Sequence, residues 1–247
     1  MFEDFAPKYK LGCLVPGQIV DNHAYEFYRL APKGVMEVMV GVGLKEFSKN
    51  DVERVFSPVD KYVQMLLDRD VDMIIQNGVP LPILIGIEAH DQLLDHIHKL
   101  SKLPVTSTVL SVVKSAKDLG AQKIAVANKW TDEMNACLDQ FFARGGARIV
   151  GKSVNELAPV DFHKIKSADH MHLAYELGKK AFIENPDCDA VYIGGGSWIA
   201  EPVAVQLEGE FGKPVICNQA AVIRNALQML NAWTCLLYTS PSPRDAT

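Results

Sequence analysis

The stretch VYIGGGSWIAEP, residues 191–202, contains a short apolar run, three consecutive glycines and then a helix start. A buried strand that passes through glycines into a helix is typical of α/β proteins, in which backbone amides at the helix start hold an anion. Glycine also permits the tight turn by itself, so the stretch fits a purely structural role as well. The rest of the sequence decides which anion such a turn would hold.

Strands and helices alternate on both sides of this stretch. Short apolar segments predict eight strands, at 9–16, 35–43, 71–78, 104–108, 123–128, 147–154, 189–195 and 214–218. Apolar residues between them recur with a period near 3.6 and predict helices, including one long helix from Val52 to Leu66. Continuous apolar strands without alternation are typical of parallel sheets that are covered on both faces.

The chain also repeats its own pattern. VDMIIQNGV (71–79) with LPVTSTVL (103–110) parallels CDAVYIGGG (188–196) with KPVICNQAAV (213–222). The repeat predicts two Rossmann-like lobes with parallel sheets, related by pseudo-twofold symmetry. We expect residues 1–110 and 214–234 in the first lobe and 111–213 in the second. Because ligands bind beyond the carboxyl ends of parallel strands, the Gly78 turn should face the turn at 194–197 across a cleft.

Composition excludes several classes of function. With 25 basic and 30 acidic residues the net charge is −5, which argues against nucleic acid or an anionic membrane as partner, and no apolar run is long enough to span a membrane. Five widely spaced cysteines indicate reduced thiols and a cytoplasmic protein. No phosphate-binding loop motif is present, which disfavours a nucleotide-dependent enzyme. We expect no metal site and no cofactor.

The segment 235–247, CLLYTSPSPRDAT, offers nothing to bury. It is interpreted as a non-native tail; a disordered natural tail is the alternative.

The loops at the strand ends favour a carboxylate ligand. They are rich in Gly, Ser, Thr and Asn and contain one basic residue, Lys129. Backbone amides of Gly195, Gly196 and Ser197 would suit a small carboxylate or dicarboxylate. Two residues are candidates for the catalytic acid or base. Cys217 ends a predicted strand on the cleft side, and Glu201 lies one helical turn after the glycines, although a cysteine there also packs well and a glutamate also complements the helix dipole.

Several segments together resemble the aspartate/glutamate racemase superfamily, in its arylmalonate decarboxylase and maleate cis-trans isomerase branch. These segments are LGCLVPG (11–17), EFYRLAPKGV (26–35), residues 104–128, TDEMN (131–135), DAVYIGGGSW (189–198) and KPVICNQAAVIRNAL (213–227). The resemblance implies two Rossmann-like lobes and cofactor-independent proton chemistry at the carbon next to a carboxylate. A homo-oligomer is suggested by analogy alone.

The resemblance also implies roles for individual positions. The family's two cysteine positions fall on Gly78 and Gly195, and its tyrosine position falls on Trp130. A carboxylate-binding Thr-Ser pair of the decarboxylase falls on Val79 and Pro80, and amide positions of the isomerase fall on Asn155 and Asn218. The chain is therefore interpreted as a decarboxylase, isomerase or racemase with a non-standard acid/base. The alternative is a catalytically inactive carboxylate-binding or regulatory protein on the same fold.

Overall fold

The structure is a computed structural model that describes residues 6–157, 161, 164–195 and 198–232. Strands and helices alternate along these residues. In chain order they are β1 (Tyr9–Val15), α1 (Asn22–Leu30), β2 (Val35–Gly41), α2 (Lys49–Phe56), α3 (Val59–Leu67), β3 (Met73–Gln76), α4 (Pro80–Ile85), α5 (Ile87–Ser101), β4 (Val105–Ser107), α6 (Thr108–Asp118), β5 (Lys123–Asn128), α7 (Asp132–Arg144), β6 (Arg148–Val154), α8 (Ser167–Glu184), β7 (Ala190–Ile193), α9 (Glu201–Phe211), β8 (Val215–Cys217) and α10 (Asn218–Met229).

The strands form two four-stranded parallel sheets with the same topology. Their orders are β2-β1-β3-β4 and β6-β5-β7-β8, so each strand of the first sheet has a counterpart in the second. The registers agree as well, since Leu14 pairs with Gln76 and Ala127 pairs with Ile193. The predicted α/β fold with two parallel sheets from an internal repeat is confirmed.

The assignment of 214–234 to the first lobe is wrong for its strand. β8 pairs with β7 and forms an edge of the second sheet. The helix that follows, α10, does pack on the first lobe, where Val222 and Ala226 share an apolar cluster with Leu11 and Ile75. Local pattern identifies strands but carries no information on strand order, which explains the error.

Helix α6, the counterpart of α10 in the repeat, crosses in the opposite direction. Its Val109 and Val112 pack with Ile124 and Phe141 of the second lobe. The two helices also pack against each other, and the buried Asn225 amide of α10 donates to Thr106 Oγ1 at 3.1 Å and to Ser111 Oγ at 3.0 Å. The lobes are therefore joined through exchanged helices.

The predicted long helix from Val52 to Leu66 is two helices, α2 and α3. They are separated at Ser57 and Pro58, because proline has no amide hydrogen and its ring clashes with the preceding turn. Both helices still bury their apolar residues in one cluster with Leu14 and Ile74, which is why their periodicity appears continuous.

Within the described ranges, every helix is too short or too polar to cross a bilayer. The tail predicted at 235–247 lies outside the described residues.

Candidate active site

Two glycine turns occupy matching positions at the carboxyl ends of β3 and β7. The Asn77 amide donates to the Leu14 carbonyl at 2.8 Å, and the Gly194 amide donates to the Ala127 carbonyl at 2.9 Å. The next residue in each lobe is a glycine with positive φ, +88° at Gly78 and +153° at Gly195. The repeat therefore places Gly78 and Gly195 in equivalent positions of the two lobes.

Neither position has room for a side chain. A Cβ at Gly78 would lie far inside van der Waals contact with the Pro16 ring. A Cβ at Gly195 would lie 2.6 Å from Cδ1 and Nε1 of Trp198 and 3.3 Å from Cε of Lys129. Pro16 and Lys129 are themselves equivalent, since each is the first residue after the neighbouring strand.

At the first turn, the backbone amide is already hydrogen-bonded within the protein. Gly78 N donates to Thr108 Oγ1 at 3.1 Å, and that hydroxyl donates to Asn77 Oδ1 at 3.3 Å. In this structure the Gly78 amide is therefore already paired within the protein. Thr108 begins α6, the exchanged helix, so this hydrogen bond also ties the helix to the turn.

Beside the first turn lies a buried polar network that the sequence did not indicate. His23 Nε2 lies 2.7 Å from Glu37 Oε1 and 3.3 Å from Asn77 Nδ2. The Cys13 thiol contacts the same group of residues, and burial together with the Glu37 carboxylate raises its pKa well above the ordinary value. Cys13 is consequently a neutral thiol at physiological pH.

The second turn carries a cation stacked on an aromatic ring. Lys129 Nζ lies 4.4 Å from the ring centroid of Trp198, within the range of a cation–π interaction. Lys129 is 4% exposed and Trp198 is 0% exposed. Burial lowers the pKa of Lys129 well below its ordinary value. Among the described residues, the indole Nε1 of Trp198 has no hydrogen-bond acceptor.

Asn218, a predicted ligand contact, begins α10 directly after β8. Its Oδ1 accepts a hydrogen bond from the Tyr192 hydroxyl at 2.7 Å. Its buried Nδ2 has no acceptor in the part of the chain that the structure describes. In the repeat, Asn218 corresponds to Thr108, because Gln76 pairs with Ser107 and Ile193 pairs with Cys217.

The lobes meet next to these turns through α1 and α9. Glu26 Oε1 of α1 accepts hydrogen bonds from the amides of Ala200 at 2.6 Å and Glu201 at 2.8 Å, so it caps α9. Burial raises the Glu26 pKa from 4.5 to about 7, against the opposing effect of the two amides. Arg29 pairs with Glu201 at 3.1 Å. Gln219 Nε2 donates to the His23 carbonyl at 3.0 Å.

Both predicted acid/base candidates lie near this junction. The buried Cys217 thiol contacts the Ala200 carbonyl at 3.8 Å, and burial together with Glu26 raises its pKa well above the ordinary value. Cys217 is therefore a protonated thiol. The Glu201 carboxylate is held by Arg29, and its side chain is largely buried.

The other residues predicted to contact the ligand lie in different environments. Val79 and Trp130 are buried in one apolar cluster, with Val79 at the start of α4. Asn155 is exposed directly after β6. Gly196 and Ser197 lie outside the described residues. No group of three or more potential metal ligands occurs among the residues that the structure describes.

Sequence reasoning missed Glu26, Glu37 and the contact between Lys129 and Trp198. Glu26 precedes Phe27 in a short helix that mixes charged and aromatic residues, where a carboxylate is expected at the surface. The available signal for Lys129 was its position: it directly follows a buried strand, where a solvated lysine is not expected.

Comparison with known proteins assigns the family. The model of the arylmalonate decarboxylase family matches residues 13–234. The chain belongs to the arylmalonate decarboxylase family. Arylmalonate decarboxylase of Bordetella bronchiseptica is 22% identical over 195 residues, which cover 76% of this chain and 78% of that protein.

Solved structures share the fold. A doubly substituted variant of arylmalonate decarboxylase in its liganded form has a TM-score of 0.78 at 19% identity, covering 90% of this chain and 92% of that chain. The maleate isomerase of Pseudomonas putida has a TM-score of 0.77 at 15% identity, covering 90% and 93%. A variant of the Nocardia farcinica maleate cis-trans isomerase with a covalently bound succinylcysteine intermediate has a TM-score of 0.77 at 16% identity, again covering 90% and 93%.

Proposed function

We propose that this member of the family is a cofactor-independent enzyme that acts on a small carboxylic or dicarboxylic acid. The reaction passes through an enediolate-like intermediate, which hydrogen-bond donors at the glycine turns stabilise. One observation carries the proposal. In the second lobe, the Trp198 indole N–H and the Asn218 amide N–H are buried and have no acceptor among the described residues. Carboxylate oxygens would satisfy both donors.

Decarboxylation is the reaction that this site suits best. The bond between the α-carbon and one carboxylate breaks, CO₂ leaves, and the bonding electron pair stays on the α-carbon and the remaining carboxylate as an enediolate. A proton then adds to that carbon. Fixed donors and an apolar, water-excluding environment lower the barrier to the first step without a positioned base. Racemisation requires groups that remove and return a proton at the α-carbon, and cis-trans isomerisation requires a nucleophile that adds to the double bond and leaves again after rotation.

The acid that delivers the proton differs from the family pattern. We infer that the family's cysteine positions fall on Gly78 and Gly195. A side chain at either position would clash with Pro16 or Trp198, which agrees with glycine at both positions. Cys217, as a protonated thiol, is the first candidate for the proton donor. Glu201, which forms an ion pair with Arg29, is the second candidate.

A second candidate function is a catalytically inactive carboxylate binder. Glycine at both of the positions assigned to the family's cysteines favours it, because neither Gly78 nor Gly195 carries a side chain that could transfer a proton. The two functions differ in turnover and not in binding.

Incubation with arylmalonates, alkylmalonates, maleate and amino acids in deuterated water, followed by NMR, tests the proposal. The enzyme should release CO₂ from a malonate and leave deuterium on the α-carbon. Cys217→Ala should reduce turnover by about 100-fold or more if Cys217 is the acid. Cys137→Ala, which removes a half-buried thiol on α7, is the matched control and should leave turnover unchanged. Thermal stabilisation by a dicarboxylate without turnover of any compound would contradict the enzymatic function and support the carboxylate-binding one.

A further inference from the structure

We propose that Lys129 and Trp198 together form a binding site for one carboxylate of the substrate, with the Lys129 ammonium as the positive charge and the Trp198 indole N–H as the hydrogen-bond donor. This inference rests on the proposed function, since it names the groups that hold the acid. It gives a binding role to two side chains whose contact the sequence did not indicate.

The two groups border the same point in space. That point is where a side chain of residue 195 would begin: it lies 2.6 Å from the Trp198 Nε1 atom and 3.3 Å from Lys129 Cε. The Lys129 Nζ lies over the face of the same indole at 4.4 Å from its centroid. The indole now fills this point, so a carboxylate at Gly195 would have to displace it and would then meet the indole edge and the ammonium together.

The electrostatics of the two groups favour an anion. Lys129 is almost wholly buried, and removal of an ammonium from water disfavours its charged form. A carboxylate beside Lys129 would favour the charged form and accept a charge-assisted hydrogen bond from it. The Trp198 Nε1 is an N–H donor with no capacity to accept, and it has no acceptor within the described ranges. A carboxylate oxygen would complete its hydrogen bonding.

The equivalent position in the first lobe lacks both groups. Pro16 takes the place of Lys129, and the Gly78 turn is closed by Thr108. The two turns therefore have similar backbone positions, but only the second lies beside a lysine. The proposed site consequently holds its carboxylate on the second lobe. The retained carboxylate of a malonate becomes the enediolate on loss of CO₂, and its added negative charge would lie beside Lys129.

Isothermal titration with malonate, phenylmalonate and maleate tests the site without reference to turnover. Lys129→Met should weaken binding by about tenfold or more, because a charge-assisted hydrogen bond is lost. Lys129→Arg keeps the charge and should retain most of the affinity. Trp198→Phe keeps a ring and removes the N–H, with an expected loss of about three- to tenfold. Lys152→Met, which removes an exposed lysine of β6, is the matched control and should change nothing.

The outcomes separate the inference from the proposed function. Equal affinity of wild type and Lys129→Met, with both proteins folded by circular dichroism, overturns the inference even if malonates are turned over. Failure of the wild-type protein to bind any of the three acids overturns it too. If binding depends on Lys129 but no acid is turned over, the carboxylate site is supported and the proposed enzymatic function is contradicted.

Discussion

Substitution of Glu26 by glutamine tests the junction between the lobes. Glu26 is buried, it caps α9 through the amides of Ala200 and Glu201, and burial raises its pKa from 4.5 to about 7. A carboxyl group whose pKa is higher in the folded protein binds its proton more tightly there than in the unfolded chain. Its contribution to stability is therefore complete below about pH 4.5 and is lost as the pH rises through about 7.

The size of this effect follows from the two pKa values. They differ by about 2.5, and each pKa unit corresponds to about 1.4 kcal/mol, so the wild-type protein should lose about 3 kcal/mol of unfolding free energy across that range. Glutamine keeps an acceptor oxygen for the two amides and cannot ionise. The variant should match the wild type near about pH 4.5 and exceed its stability by about 3 kcal/mol at about pH 8.

Urea unfolding, followed by the fluorescence of the buried tryptophans, measures this difference at a series of pH values. The difference between wild type and Glu26→Gln is the quantity to use, because contributions of other titrating groups cancel in it. A difference that does not change with pH, or a variant that is less stable than wild type at the upper end of the pH range, would show that burial does not raise the pKa of Glu26.

Three further predictions concern stability and use the same urea assay. Burial lowers the pKa of His90 from 6.5 to about 4, so the wild type should lose about 3 kcal/mol of unfolding free energy as the pH falls from about 6.5 through about 4. His90→Leu should abolish that loss, and persistence of the loss in the variant would contradict the prediction. Gly78→Ala should lower the free energy of unfolding by more than about 2 kcal/mol, because φ is +88° and the Pro16 ring blocks the Cβ. Gly209→Ala, in α9 with open space around its Cβ, should instead raise it by about 0.5–1 kcal/mol. Equal effects at the two sites would show that the conformation and packing of Gly78 impose no such constraint. Asn225→Ala should cost about 2 kcal/mol, because it removes two buried hydrogen bonds between α10 and the β4–α6 segment; a neutral result would show that this contact does not hold the exchanged helices.

Most of the fold could be predicted from apolar patterning. All eight predicted strands are present, because strands buried on both faces of a parallel sheet require continuous apolar runs such as KIAVAN at 123–128. Helices α1, α4 and α9 were not predicted from apolar periodicity. The first carries the buried Glu26, and the second has six residues, two of them prolines. The sheet to which β8 belongs depends on strand order, which no local pattern encodes.

Of the site, only the two glycine turns of the backbone could be predicted, and not the side chains around them. The repeat located Gly78 and Gly195 correctly in equivalent turns, because glycine is required where φ is positive. Which side chains surround the turns depends on loops that are distant in sequence. The stacking of Lys129 on Trp198 joins the end of β5 to the loop after β7, and the bond from Gly78 to Thr108 depends on the path of α6. Such contacts follow from tertiary packing.

A crystal structure of the protein grown with malonate tests whether a carboxylate binds at the Gly195 turn. We expect a carboxylate beside Gly195, within hydrogen-bond distance of both Lys129 Nζ and Trp198 Nε1. Malonate bound away from this turn, with the Trp198 indole still packed on Gly195 as it is in the present structure, would show that these residues do not form the carboxylate site.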